Sequence, residues 1–136
     1  MVKLDKNKIE SIINYLLEKV DPYLIILFGS VAKGYMRADS DVDLGFLSDK
    51  KLDNYEIFLI AQGLADILGR EVDLVDLDQA STVFQAQVIS SGKVIYCNNE
   101  KRRKLFEIVV LKKYVRLNEE RKPILEKIKE RGNIYG

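Results

Sequence analysis

One stretch of 24 residues, from position 24 to position 47, constrains the fold of this chain more than any other segment. It begins with an apolar run, breaks at Gly29 and Ser30, and crosses ten residues rich in small and polar side chains. It then enters a second apolar run, whose start carries Asp41 and Asp43. Short apolar runs bounded by glycine and polar residues are typical of buried strands. The stretch therefore predicts a strand, a turn with a short helix or loop, and a second strand.

The two aspartates stand two positions apart at the second predicted strand. Because side chains alternate between the two faces of a strand, we expect Asp41 and Asp43 on one face and Val42 and Leu44 on the other. Two carboxylates held so close repel each other unless a positive charge lies between them. Carboxylate oxygens are the ligands that Mg²⁺ prefers. The pair therefore predicts a site for a divalent cation.

The Gly-Ser pair precedes these carboxylates by ten residues. Gly29 allows the backbone to come close to a ligand, because it has no side chain. Ser30 can offer its hydroxyl, and the backbone N–H groups that follow it, to a phosphate oxygen. The pattern predicts that a phosphate group and a metal ion meet at one site.

The remainder of the chain alternates between helical and strand patterns. Apolar residues recur at helical spacing in some segments and form short runs in others. The predicted elements are a helix over 5–19, strands over 23–28 and 42–47, a helix over 55–68, a strand over 71–77, a helix over 82–90 and a strand over 93–97. This order predicts an α/β domain with a mixed sheet and flanking helices.

The third predicted strand carries two further acidic residues, Asp73 and Asp76. They stand three positions apart, so they must point to opposite faces of the strand and cannot both face one site. Asp76 lies near the end of the strand, where we interpret it as a loop or cap residue. Alternation alone does not decide which of the two belongs with the carboxylate pair.

From residue 98 onward the pattern is helical, and Pro123 is expected to open a further helix. The chain thus divides into a core, 1–99, and C-terminal helices, 100–136. The apolar positions of this C-terminal part spread over more than one helix face, which leaves two interpretations open: packing on the core alone, or packing partly on another protein. Residues 100–136 carry 12 basic and 6 acidic side chains, against 10 and 15 in residues 1–99. This excess suits a charged partner or a solvated helix surface.

The composition sets further limits. The chain has 136 residues, of which 47% are apolar and 32% charged, and this suits one globular domain. No apolar run approaches the ~20 residues that span a bilayer, and the N-terminus does not resemble a secretory signal, so we expect a cytoplasmic protein. Cys97 is the single cysteine and histidine is absent. Proton transfer must therefore use carboxylates, lysine, tyrosine or water.

The spacing Gly29-Ser30, ten residues, Asp41-x-Asp43 resembles the signature of the nucleotidyltransferase superfamily, the DNA polymerase β-like enzymes. The resemblance implies the polymerase β-like fold and two-metal phosphoryl transfer. It selects Asp73 as the third carboxylate, which would complete a metal site with Asp41 and Asp43. Because histidine is absent, Asp73 is also the best-placed candidate to accept the proton of the acceptor hydroxyl. Two Mg²⁺ ions would be bound, and Gly29 and Ser30 would hold the triphosphate of the substrate.

Two cations in the intervening loop, Lys33 and Arg37, could steady the phosphates. A solvated charge is the simpler interpretation of each, and neither is assigned to the site. The chain is also too short after its third strand for the large additional domain with which polymerases hold long nucleic acids. The sequence therefore predicts a minimal nucleotidyltransferase.

Over nearly its whole length the chain is similar to the MntA antitoxins, small nucleotidyltransferases paired with HEPN-domain RNase toxins. The segments that carry the similarity beyond the motif are 81–83, 117–121, 124–125 and 134–136. The resemblance implies transfer of AMP from ATP to a tyrosine of the toxin. Two alternatives stay open: nucleotidylation of a small molecule, as in antibiotic-modifying enzymes, and a non-catalytic antitoxin that acts by binding alone.

Overall fold

The computed structural model describes residues 4–32 and 41–130 of the chain. Helices and strands alternate along it, as the sequence predicts, and most predicted boundaries lie within one or two residues of the observed ones. The elements are α1 (Lys6–Lys19), β1 (Pro22–Phe28), α2 (Gly29–Ala32), β2 (Val42–Ser48), α3 (Asn54–Leu68), β3 (Val72–Asp76), a 3-10 turn (Leu77–Gln79), α4 (Thr82–Ser91), β4 (Lys93–Cys97) and α5 (Glu100–Glu130).

The four strands form one sheet in the order β3-β2-β1-β4. β1 pairs antiparallel with both β2 and β4, whereas β2 and β3 are parallel. A parallel pair needs a crossover connection, and α3 supplies it between β2 and β3. The predicted α/β domain with a mixed sheet and flanking helices is confirmed.

The sheet separates two apolar clusters. On one face, α1 and α3 pack on the sheet through buried residues such as Ile12, Leu16 and Leu64. The other face carries α4, whose Val88 is buried against Leu24 and other β1 residues. Because the central strands are covered on both faces, they consist of nearly continuous apolar runs. Their few polar side chains are the exceptions that need a functional explanation.

Local capping explains where the helices begin and end. Asp5 accepts a hydrogen bond from the backbone N–H of Lys8 at the start of α1. Asp53 and Glu56 form a reciprocal capping box at the start of α3, and Gly69 ends that helix in the left-handed conformation at a φ of 67°. These caps satisfy backbone groups that a helix terminus would otherwise leave unpaired.

The C-terminal region departs from the prediction. We expected Pro123 to open a new helix, but α5 runs through it as one helix of 31 residues, so that prediction is wrong. Proline fixes φ near the helical value, and its cost is one lost backbone hydrogen bond and crowding of the preceding turn. A proline therefore favours a helix start without requiring one. Although α5 is long, the described helices include none that is long and apolar enough to cross a membrane.

The first turns of α5 are attached to the core. Arg102 donates two hydrogen bonds to the Asp49 carboxylate, at 2.8 and 2.9 Å, and its guanidinium lies 3.8 Å from the centre of the Tyr23 ring. Phe106 packs on the cluster beneath α4, and Val110 is buried. Beyond Val110 the side chains up to residue 120 are mostly exposed. Among the side chains described up to residue 120, those that pack on the core thus lie mainly in the first turns of the helix.

Candidate active site

Asp43 and Asp73 lie opposite each other on the neighbouring parallel strands β2 and β3. Their positions alternate with buried residues, so both carboxylates stand on the sheet face that carries α4. Asp41 immediately precedes β2 and is exposed. The structure thus brings the three acidic residues that the sequence analysis selected to one end of two adjacent strands.

The electrostatics of Asp43 reflect this arrangement. Burial, together with the nearby charges of Asp73 and Asp41, raises the pKa of the half-buried Asp43 carboxyl to about 6. Burial and like charges both disfavour the ionised form. The cluster therefore holds negative charge at a free-energy cost that a cation would remove.

Gly29 explains how the backbone approaches this cluster. It follows β1 with a φ of 75°, a conformation that side chains rarely tolerate. A Cβ atom added there would collide with the Oδ2 atom of Asp43. A side chain at this position would therefore be strained by the backbone conformation and would displace the Asp43 carboxylate. Ser30 follows within α2, so the Gly-Ser turn and the carboxylates meet as the spacing predicts.

Asp76 has a structural role. Its carboxylate accepts hydrogen bonds from the backbone N–H of Asp78 at 3.0 Å and from the side-chain amide of Gln79 at 3.1 Å. It caps the 3-10 turn that follows β3. The interpretation of Asp76 as a cap residue is confirmed.

The donor chemistry of the three carboxylates suits a hard divalent cation such as Mg²⁺. Within residues 4–32 and 41–130, however, no group of three or more Asp, Glu, Cys or His side chains is already arranged to hold a metal ion. A cation would have to draw Asp41, Asp43 and Asp73 closer together. Lys33 and Arg37, the two cations of the intervening loop, lie outside the described residues.

Sequence reasoning missed a cavity beside the Gly-Ser turn. Its volume is about 460 Å³, and its wall combines two aromatic rings, glycine, valine and three polar residues. The lining residues are Phe28, Gly29, Phe84, Gln87, Val88, Ser90 and Ser91. No motif marks these positions, because β1 and α4 approach each other only in the tertiary structure. The helix carries two glutamines, Gln85 and Gln87, and nothing in the sequence distinguishes the one that lines the cavity.

Comparison with known proteins identifies the class. The family described as polymerase beta nucleotidyltransferase matches residues 10–101. The chain belongs to this family. Its sequence is 36% identical over 128 residues to the protein adenylyltransferase MntA of Shewanella oneidensis, covering 94% of this chain and 90% of that protein.

Solved structures share both fold and sequence with the chain. One is a crystal structure of a toxin-antitoxin with AMP-PNP, in which the matching chain is 37% identical with a TM-score of 0.81; the match covers 91% of this chain and 98% of that one. Another is the tri-AMPylated Shewanella oneidensis HEPN toxin in complex with its MNT antitoxin, at 33% identity and a TM-score of 0.77, covering 90% of this chain and 96% of the matching one. The chain therefore shares its fold and about a third of the aligned residues with chains from solved toxin-antitoxin structures.

Proposed function

We propose that this protein is the antitoxin of a HEPN/MNT pair and transfers AMP from ATP to a tyrosine of its partner, a HEPN-domain RNase toxin. The observation that carries the proposal is the meeting of Asp43 and Asp73 with Gly29 at one end of the sheet. The relatives support the nature of the substrates: one is named a protein adenylyltransferase, and another is bound to an AMPylated toxin. Modification of the toxin would silence its RNase activity.

The site residues take these roles in the proposal. Asp41, Asp43 and Asp73 would hold two Mg²⁺ ions, which when bound neutralise charge on the phosphates and make the acceptor hydroxyl more acidic. Gly29 and Ser30 would hold the triphosphate, Gly29 by its close backbone approach and Ser30 by its hydroxyl and the following N–H groups.

The transfer itself can be written in terms of this chain's own groups. The tyrosine oxygen forms a bond to the α-phosphorus, the bond from that phosphorus to the bridging oxygen breaks, and pyrophosphate leaves. The tyrosine proton must go to a base, and the chain has no histidine. Asp73 is exposed on the edge strand of the sheet, where an acceptor from another protein can reach it. We therefore assign proton acceptance to Asp73.

The exposed face of α5 is our candidate for toxin docking. Leu105, Ile108 and Val115 are 62, 51 and 55% exposed and lie at helical spacing. A shallow groove along this face is lined by Ile108, Leu111, Lys112, Val115, Arg116 and Glu119. Apolar residues at the centre of a patch with charged residues around them are typical of protein interfaces. We therefore propose that the C-terminal helical part, within residues 100–136, contacts the toxin while its first turns remain on the core.

We also propose a cytoplasmic location, because ATP and the RNA substrates of an RNase toxin are found there. No direct binding of long nucleic acids is part of the proposal. The toxin and the nucleotide are the partners that the site requires.

Mass spectrometry tests the function directly. The protein would be mixed with Mg²⁺, ATP and the toxin, and the mass of the intact toxin followed over time. We expect a gain equal to one or more AMP groups with the wild-type protein and none with Asp43→Asn. If the two proteins form a stable complex in which the toxin is inactive but its mass is unchanged, the antitoxin acts by binding alone and the enzymatic proposal is wrong.

A further inference from the structure

We propose that the cavity between β1 and α4 is the purine-base subsite of the nucleotide, with Gln87 as the residue that reads the edge of the base. The inference rests on the proposed function, because it concerns the nucleotide held at Gly29 and Ser30. It adds the residues that determine which base is accepted.

The position of the cavity follows from its lining. Gly29 belongs both to the cavity wall and to the turn that approaches Asp43, and Phe28, also in the wall, pairs with Asp43 in the sheet. In a nucleotide the base is joined to the α-phosphate through one ribose, so phosphates on that turn bring the base close to it. The cavity borders the turn directly, because Gly29 is part of its wall. Its volume of about 460 Å³ falls in the range of small-molecule sites.

The charge of the lining decides which end of the nucleotide it can hold. None of the described residues that line the cavity is a lysine or an arginine. The cavity also borders the C-terminal turn of α4, where the helix dipole is negative and repels anions. It therefore suits the uncharged base and not the phosphates.

The aromatic wall suits a flat ring. The rings of Phe28 and Phe84 meet edge to face, with centroids 5.5 Å apart and planes at 86°. This packing fixes the orientation of the partly buried Phe84 ring. A base in the cavity can contact that ring without any rearrangement of the core.

Gln87 provides the polar contact. Its backbone oxygen accepts hydrogen bonds from the hydroxyls of Ser90 and Ser91, at 3.1 and 2.8 Å. No described residue bonds to its side-chain amide, which lies exposed at the cavity. An amide offers one acceptor and two donors side by side, and it pairs with the amino group and neighbouring ring nitrogen of adenine. The same group, once rotated, can pair with guanine.

Because a glutamine amide can pair with either purine, replacing it with a group that favours one of them tests the assignment. Glutamate at position 87 has acceptors only, so it favours guanine, which presents two donors on its edge, over adenine, which presents one donor beside an acceptor. The full-length protein would be titrated with AMP-PNP and with GMP-PNP in the presence of Mg²⁺. Gln87→Glu should shift the ratio of the two dissociation constants toward the guanine nucleotide by about tenfold or more. Gln62→Glu, the same change on the exposed surface of α3, is the matched control.

A second variant tests the cavity independently of hydrogen bonding. Ser91 is exposed at the cavity rim, so Ser91→Phe should leave the fold intact while filling the space. We expect both nucleotides to lose affinity about equally. The subsite assignment is wrong if the ratio of the two dissociation constants is the same in Gln87→Glu and Gln62→Glu. It is also wrong if Ser91→Phe binds nucleotide as tightly as the wild type. Because these titrations need no toxin, their outcome is separate from that of the transfer reaction, whose failure would overturn the proposed function alone.

Discussion

Asp43 and Asp73 occupy matching positions on the parallel strands β2 and β3, which places two carboxylates on the same face of the sheet. Residues that pair across two parallel strands point to the same face of the sheet, so the two carboxylates remain neighbours. The arrangement costs folding free energy in the absence of a cation. Such a cost is typical of a site that is built for binding.

The first prediction concerns pH. The pKa of Asp43 is about 6 in the folded protein, above the usual value of about 3.9 in an unfolded chain. Between these two values the folded state binds more protons than the unfolded state, so the free energy of unfolding should fall as the pH rises from about 4 to about 6. Urea unfolding without Mg²⁺ over this range, compared with Asp43→Asn, measures the effect. Parallel pH profiles for the two proteins would contradict it.

The second prediction concerns the carboxylates as ligands. Asp41→Asn, Asp43→Asn and Asp73→Asn each remove one charge from the proposed metal site, and we expect each to lower the rate of AMP transfer by at least about a hundredfold. Because the repulsion around Asp43 is relieved, the thermal midpoint of Asp43→Asn without Mg²⁺ should stay the same or rise slightly. If any of the three variants transferred AMP at nearly the wild-type rate, the assignment of that aspartate to the metal site would be wrong.

The third prediction concerns Gly29. Gly29→Ala should destabilise the protein by more than the roughly 1–2 kcal/mol expected for a left-handed non-glycine residue, because the added carbon also collides with Asp43. Gly69→Ala is the matched control: it has a similar positive φ, but nothing lies within 4 Å of the added carbon. Chemical denaturation compares the two. Equal losses of stability would show that the approach of Gly29 to Asp43 is not tight.

The fourth prediction concerns the Ser30 hydroxyl. Its removal in Ser30→Ala should weaken nucleotide binding by roughly 1.5–3 kcal/mol, the value of one hydrogen bond to a charged group. The backbone N–H groups remain, so the loss of transfer should be smaller than in Asp43→Asn. Titration with AMP-PNP and measurement of the transfer rate test both points. A loss as complete as that in the aspartate variant would give Ser30 a role other than phosphate binding.

The fifth prediction concerns α5. Ile108→Glu places a charge in the exposed apolar groove and should reduce affinity for the toxin by at least about tenfold, since buried apolar residues at the centre of an interface contribute most to binding. Val109→Glu makes a similar change at an exposed aliphatic residue outside that groove and serves as the control. Calorimetric titration with the toxin gives the two affinities. Nucleotide binding should be unchanged in both variants.

Much of the site could be predicted from local patterns. The spacing of the Gly-Ser pair and the two aspartates, together with the flanking apolar runs, indicated that a turn and two carboxylates would meet. The helices predicted over 5–19 and 82–90 begin within one residue of the observed starts, where Asp5 and Ser81 accept hydrogen bonds from backbone N–H groups. These features depend on neighbours within a few positions, so the order of residues is enough to determine them.

Other features were decided only when distant elements packed together. That Asp73, and not Asp76, lies beside Asp43 depends on the register of β3 against β2. Alternation within the strand did not predict this pairing, and the family resemblance was what indicated Asp73. The cavity near Gln87 exists because α4 packs across the end of β1, and no local pattern encodes that contact. At Pro123 the local signal for a helix start was wrong, because α5 continues through it. The sequence by itself determined the elements and the chemistry of the motif, since these follow from short-range periodicity. Tertiary packing decided which side chains share a face or a cavity, because those contacts join residues far apart in the chain.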